Sequence, residues 1–357
     1  MATEAKAPRS YLYSISTLRG VFVLLVCLLH FADGSGLTHN CYDCVEAVGA
    51  VAYPGMLGFF IISGFGITWS MYQGGYSLRF VPRFYLKRIT RAEPPYLIGL
   101  VLIVATYYLV SLRPGHVGPP MIIDWIQVAL HVGYLVPFFG YQWLNPVFWT
   151  LSVEFQFYLA VGLLYPLFTS RDWRVRTLTM LALLAVYWVA PRVQYVVNAY
   201  IPLFLIGIVM FQQRVGIISR REQWFWLIPL VLLTLQYPVG VVVEYPVGVI
   251  AALMCVICIG MLLKNDHYSP LGNWIGEVSY SLYLVHPPVS LLVLGTLLHF
   301  STSIPVKLFG VALSLVLSVL AAKVYYRWVE KPWFQRSHRI RYPKIMATTT
   351  TLSEQAE

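Results

Sequence analysis

Long apolar stretches separated by short polar breaks recur from residue 16 to residue 328. A helical run of about 17 to 25 apolar residues matches one crossing of the bilayer hydrocarbon. Ten such crossings can be laid out, at 16–33, 51–72, 94–112, 145–168, 177–194, 198–213, 224–240, 246–264, 274–299 and 305–328. The strict alternation over about ten residues that marks an outer-membrane strand is missing. Backbone amides in lipid must find partners inside their own segment, so the crossings are helices. The stretch 121–141 is only semi-apolar, carrying Asp124, Gln127 and His131, and reads as an interfacial or re-entrant helix.

The pattern therefore predicts an all-α fold: a polytopic membrane bundle of about ten transmembrane helices. Residues 13–335 make up one domain, flanked by an N-terminal tail (1–12) and a polar, disordered C-terminal tail (336–357). No fixed-period repeat divides the chain. Residues 1–33 read as a first span rather than a cleaved secretory leader, because no small-x-small cleavage site follows.

Composition agrees, with 58% hydrophobic and only 11% charged residues, which excludes an ordinary soluble domain. The net charge of +10 acquires meaning once the basic residues are assigned to loops. Twenty-one of the 25 lysines and arginines fall on one side of the predicted membrane, while Arg113, Arg192 and Lys307 fall on the other and Lys323 inside the last span. Positive residues collect in cytoplasmic loops, so both termini are expected in the cytoplasm. The charge then needs no nucleic-acid partner to explain it. Cys41 and Cys44 form CYDC in an outward loop, as a local disulfide or free thiols, and Cys255 and Cys258 read as small core residues.

Against this apolar background a few polar residues stand out. In LRGVFVLLVCLLHF, Arg19 and His30 are eleven positions apart; at 100° per residue they share one helix face to within about 20°, roughly 16 Å apart in depth. Ionisable groups in hydrocarbon are costly, so that face is expected to line a cavity or reaction path. PRFYLKRITRAEPPY carries Arg83, Lys87, Arg88 and Arg91, with Arg88 and Arg91 on one face. Arginine forks match phosphate oxygens in pairs, although a basic loop can equally serve topology or contact with anionic lipid. FWTLSVEFQFYL buries Glu154 five positions beyond Trp149, as a catalytic group or as a polar pin between helices. FFIISGFGITW offers Ser63, Gly64 and Gly66 for close helix packing or local unwinding. EVSYSLYLVHPP ends on His286, with Glu277 to Ser281 reading as helix capping, and YRWVEKPW closes the last span with Glu330, expected to pair with basic neighbours at the interface.

Taken in this order, these elements resemble the acyltransferase family 3 membrane proteins over about residues 13 to 335. The resemblance rests on Arg19 and His30; on Phe59, Phe60, Ser63, Gly64 and Phe65; on Arg88 and Arg91 before Pro95 and Tyr96; on Trp149, Leu151, Glu154, Phe157 and Tyr158; and on Ser279, Tyr280, Tyr283, Leu284 and His286. Ala92 and Glu93 depart from the pattern, as does Phe155, where a second acid is common.

The resemblance implies a multi-pass protein of the cytoplasmic membrane that moves an acyl group from cytosolic acyl-CoA, acetyl-CoA foremost, to a hydroxyl of a glycan, lipid-linked sugar or glycosylated natural product. Membrane lipid and a carbohydrate acceptor are the partners this implies; no metal is expected, and oligomeric state is left open. Imidazole titrates near neutral pH, so His30 is the candidate general base. Asp33 could orient its ring. Arg19 and Glu154 join it as candidate catalytic residues, with Arg88, Arg91, Arg83 and Ser63 as donor-binding residues. A direct transfer is expected, with an acyl-histidine on His30 as alternative. The rival reading is a proton- or ion-coupled transporter relaying through His30, Glu154 and Lys323.

Overall fold

The computed structural model describes residues 12–38, 42–113, 122–190, 195–234 and 247–343; the side chains of 42–53, 247–252 and 262 are outside that description. In chain order the helices are α1 (Tyr13–Gly34), α2 (Tyr42–Gln73), α3 (Val81–Ser111), α4 (Trp125–Val132), α5 (Phe148–Phe168), α6 (Trp173–Val189) and α7 (Ile201–Arg214), then α8 (Arg220–Leu233), α9 (Val247–Lys264), α10 (Pro270–Glu277), α11 (Ser279–Phe300), α12 (Ile304–Tyr325) and α13 (Lys331–Arg339). A π-helical turn, Tyr326–Glu330, joins α12 to α13. All regular structure among the described residues is helical.

Among the described residues, six helical stretches are long and apolar enough to cross a membrane: Tyr13–Gly34, Pro54–Gln73, Leu78–Ser111, Phe148–Phe168, Ser279–Phe300 and Ile304–Arg339. The other four predicted crossings fall on α6, α7, α8 and α9, helices of 17, 14, 14 and 18 residues. Six of the ten predicted crossings are thereby matched by long apolar helices among the described residues. The predicted ninth crossing, 274–299, is interrupted at Val278, where α10 ends and α11 begins. Most of both tails, and the Cys41–Cys44 pairing, lie outside the described residues.

Helix approach is set by small residues. At the crossing of α2 and α7 a Cβ on Gly64 would stand 2.2 Å from the Phe204 carbonyl oxygen, and one on Gly207 2.0 Å from that of Ile61. The two backbones touch because neither glycine has a side chain. α7 is apolar on all sides and buried from Ile201 to Gln212, as expected of a helix enclosed by others. α12 buries Gly310, Ser314, Ser318 and Ala322, a stripe of small residues in steps of four.

α3 continues through Pro94 and Pro95 where a soluble helix would stop. The two prolines leave the Thr90 and Arg91 carbonyls without ladder donors, and the adjoining turn is held from neighbouring helices: the Tyr280 hydroxyl donates to the Ala92 carbonyl at 2.9 Å and the Tyr325 hydroxyl to that of Pro95. The semi-apolar segment forms the short α4, capped by Asp124, whose Oδ1 accepts from the backbone N–H of Ile126 and Gln127. Cys255 is buried, its Sγ donating to the Pro54 carbonyl, whereas Cys258 is exposed on the outer face of α9 and is not a core residue.

Candidate functional site

The apolar core forms two clusters. One gathers α2, α6, α7, α8 and α9; the other gathers α11 and α12, and α1, α3 and α5 contribute to both. A cavity of about 470 Å³ opens where they meet, lined by Phe60 and Phe65 of the first cluster and Val26, Val147 and Tyr283 of the second. Arg19, His30, Ser63, Arg88, Arg91 and Glu154 all line it. Six of the seven residues picked from the sequence therefore share one room. Arg83 does not: it is exposed, its guanidinium 5.9 Å from the Phe80 ring, because it sits on the outward face of α3 two turns before Arg91.

One end of the room is cationic. Arg19 comes from α1 and Arg88 and Arg91 from α3, with Glu330, Phe334 and His338 closing the wall. The Arg91 guanidinium lies 4.7 Å from the Phe334 ring centre, and that of Arg88 lies between Phe84 and Tyr158, at 5.4 and 5.6 Å. Aromatic faces hold these cations without neutralising them. Among the described residues the only ion pair joins Arg176 to Glu222, so no carboxylate lies within 4.0 Å of Arg19, Arg88 or Arg91. Arg88 Nε is buried without a hydrogen-bond partner. An arginine left unpaired in a buried wall calls for an anionic ligand.

Glu330 is 3% exposed and accepts from the backbone N–H of Ser281 at 3.1 Å and from its hydroxyl. It caps the first turn of α11 from a buried position, with Arg91 and Arg19 as its basic neighbours beyond ion-pair distance, so the expected interfacial pairing is corrected to a buried cap beside those charges. The cause is the π turn. Steps of four overrun a 3.6-residue turn by about 40° each; the wider turn after α12 absorbs part of that drift and keeps Glu330 facing inwards.

In the middle of the room, the Ser63 hydroxyl donates to Glu154 Oε1 at 2.9 Å, tying α2 to α5. Tyr158 approaches Glu154 from the next turn. The hydroxyls of Thr150 and Tyr283 bond to each other, and Tyr283 also donates to the Val147 carbonyl at 3.2 Å. Tyr134 enters the wall from the turn after α4, its ring 4.7 Å from that of Tyr96 and 5.2 Å from that of Phe155. It has φ +56°, a left-handed conformation that is unusual outside glycine.

The other end carries His30, half-buried on α1. Its ring centre is 5.4 Å from that of His286 on α11, which is fully buried. Asp33, the expected orienting group, is exposed and accepts from the Thr38 hydroxyl at 3.1 Å instead. Lys323 is exposed on α12 and does not line the cavity, so the relay drawn for a transporter is not assembled here.

Sequence reasoning passed over Tyr134, Tyr158, Tyr280 and Glu330 as cavity residues. An intramembrane carboxylate three residues after Arg327 was the available signal for Glu330; nothing local marks Tyr134, which reaches the cavity only through the path of its loop. Among the described residues no three His, Cys, Asp or Glu side chains are grouped to hold a metal ion.

A family model described as "Acyltransferase domain" matches residues 12–323. No curated protein and no solved structure matches the chain.

Proposed function

Since the chain belongs to the acyltransferase family 3, we propose that it transfers an acyl group, acetyl in the first instance, from cytosolic acyl-CoA to a hydroxyl of a glycan, lipid-linked sugar or glycosylated natural product. The observation that carries this reading is the single cavity with unpaired arginines at one end and a histidine at the other. Coenzyme A has the matching shape: phosphates at one end of a long arm and the thioester at the other.

In this scheme Arg19, Arg88 and Arg91 hold the donor phosphates, and the arginine end opens to the cytosol of the cytoplasmic membrane. Ser63 keeps the Glu154 carboxylate in place, and Glu154 accepts a hydrogen bond from the acceptor sugar. His30 takes the proton of the attacking hydroxyl as its oxygen bonds to the thioester carbonyl carbon. Collapse of the tetrahedral intermediate breaks the carbon–sulfur bond, and the imidazolium returns the proton to the departing thiolate. The ester and free CoA are the products. No acyl-histidine is required.

The test uses the purified protein in nanodiscs with radiolabelled acetyl-CoA, with succinyl- and longer acyl-CoA in parallel, and follows free CoA. Wild type releases CoA and the His30→Ala variant does not. Acid quenching without acceptor leaves no protein-bound label if transfer is direct. Mass spectrometry of cell-surface glycans with and without the gene identifies the acceptor by one acyl mass. Equal CoA release by wild type and His30→Ala, or none by either while glycans are unchanged, overturns the reading.

A further inference from the structure

Two histidines are buried off the cavity, and their hydrogen bonds differ in one respect. His131 Nδ1 lies 2.7 Å from the Gln127 carbonyl, and its Nε2 accepts from the backbone N–H of Leu144 at 3.0 Å. A carbonyl oxygen can only accept, so Nδ1 carries the proton and Nε2 the lone pair. Both nitrogens are used, and the residue is a structural pin. His286 begins in the same way, with Nδ1 3.1 Å from the Leu282 carbonyl one turn back. The same reasoning makes its Nε2 a bare lone pair. That nitrogen is fully buried and has no partner. An unmet buried acceptor is costly enough that its surroundings must be asked for a donor.

The ring packs against α1. Its neighbours are His30, with ring centres 5.4 Å apart and planes inclined by 37°, Phe31 at 5.9 Å and Tyr283 at 5.9 Å. Phe31 has nothing to donate, and the Tyr283 hydroxyl is engaged with Thr150 and Val147. His30 remains. No bond joins the two rings as they stand, but at this separation a turn of the His30 ring about its side-chain torsions brings one of its nitrogens towards Nε2, within hydrogen-bond range. His30 lines the cavity and His286 does not, so His286 stands behind it.

We propose that His286 is a positioning residue for His30: its Nε2 lone pair receives the N–H of His30 and so turns the other, unprotonated nitrogen of His30 into the cavity. A base must present a lone pair to its substrate, and a neutral imidazole has one of two to choose. A fixed acceptor behind the ring makes the choice before substrate arrives. In the proposed transfer the same bond steadies the imidazolium while His30 holds the hydroxyl proton. The tautomer assignment stands on geometry alone; its effect on turnover rests on the proposed function.

The test separates the two. Protein labelled with ¹⁵N-histidine is reconstituted in nanodiscs, and the His30 and His286 signals are assigned by loss in His30→Ala and His286→Leu. In wild type, His286 is the Nδ1–H tautomer and His30 a single tautomer with a hydrogen-bonded N–H. In His286→Leu, His30 becomes a mixture of tautomers; His286→Gln, whose side-chain oxygen can accept in the place of Nε2, restores one. If wild type also turns over acetyl-CoA, His286→Leu lowers kcat at least about tenfold with KM unchanged, and His286→Gln recovers most of it. Ser314→Ala and Ser318→Ala control for the two unpartnered hydroxyls on α12. A His30 signal unmoved in folded His286→Leu, or moved by either serine variant instead, overturns the proposal even if the enzyme is active. An inactive wild type with the expected tautomers overturns the function and leaves the pair standing.

Discussion

The two ends of the cavity solve opposite problems with the same helices. At the arginine end, Arg19, Arg88 and Arg91 face one buried carboxylate, and aromatic rings cover the guanidinium stems without cancelling their charge. At the histidine end no permanent charge lines the wall; Thr150, Tyr283 and His30 are polar, and Thr150 and Tyr283 are bonded to each other. In the proposed transfer the first end holds an anion that supplies the missing counter-charge, and the second leaves a lone pair available. Binding and chemistry would then be divided along about 16 Å of α1, the rise over the eleven residues from Arg19 to His30.

That division can be broken one end at a time. The largest effect belongs to His30→Ala, for which kcat falls about 10²- to 10⁴-fold while KM for acetyl-CoA stays within about twofold of wild type, read by CoA release. Arg88→Ala and Arg91→Ala invert the pattern. Each removes a charge-assisted contact of about 1.5–3 kcal/mol, so acyl-CoA affinity drops roughly tenfold to a hundredfold by titration calorimetry with kcat little changed. Lysine at position 91 recovers only part, because it cannot fork. Arg83→Ala moves KM less than twofold, since its side chain lies outside the cavity.

Packing sharpens the comparison at a smaller scale. Gly207→Ala forces a Cβ against the Ile61 carbonyl and destabilises the α2–α7 crossing by about 1–3 kcal/mol, lowering the unfolding temperature in detergent. Gly66→Ala, with no atom within 4 Å of the added Cβ and the cavity beside it, keeps the wild-type unfolding temperature and alters turnover alone.

The smallest effect lies outside both ends. Burial pushes the His131 pKa below its ordinary value, so the bond from Leu144 to Nε2 is intact above about pH 6.5. It is lost as pH falls through the lowered folded-state pKa. The protection factor of the Leu144 amide, the intrinsic exchange rate divided by the observed rate at the same pH, accordingly falls in acid, and His131→Gln weakens this dependence.

Much of this plan was legible in the residues, because lipid makes polar side chains conspicuous. Arg19 and His30 share a helix face by arithmetic alone, and the room between them is where the structure has it. Glu154 and Ser63 were picked out separately, but nothing in one sequence said that they bond to each other. Glu330 was misread because its inward aim depends on a π turn, which leaves no periodic signature. The split between α10 and α11 was missed for a related reason: apolar content runs straight through Val278. Arg83 looked equivalent to Arg88 and Arg91 by composition, and only its position on the outer face of α3 sets it apart. Cys258 differs from Cys255 in the same way, three residues along a helix that is apolar on every side.

In the proposed transfer one donor molecule spans both ends at once. The most direct measurement is a structure of the nanodisc-embedded protein with a non-hydrolysable thioether analogue of acetyl-CoA. Phosphates on Arg88 and Arg91 with the thioether beside His30 are the expected result; a nucleotide seated outside the cavity, or a thioether end turned away from that imidazole, would rule the shared-donor arrangement out.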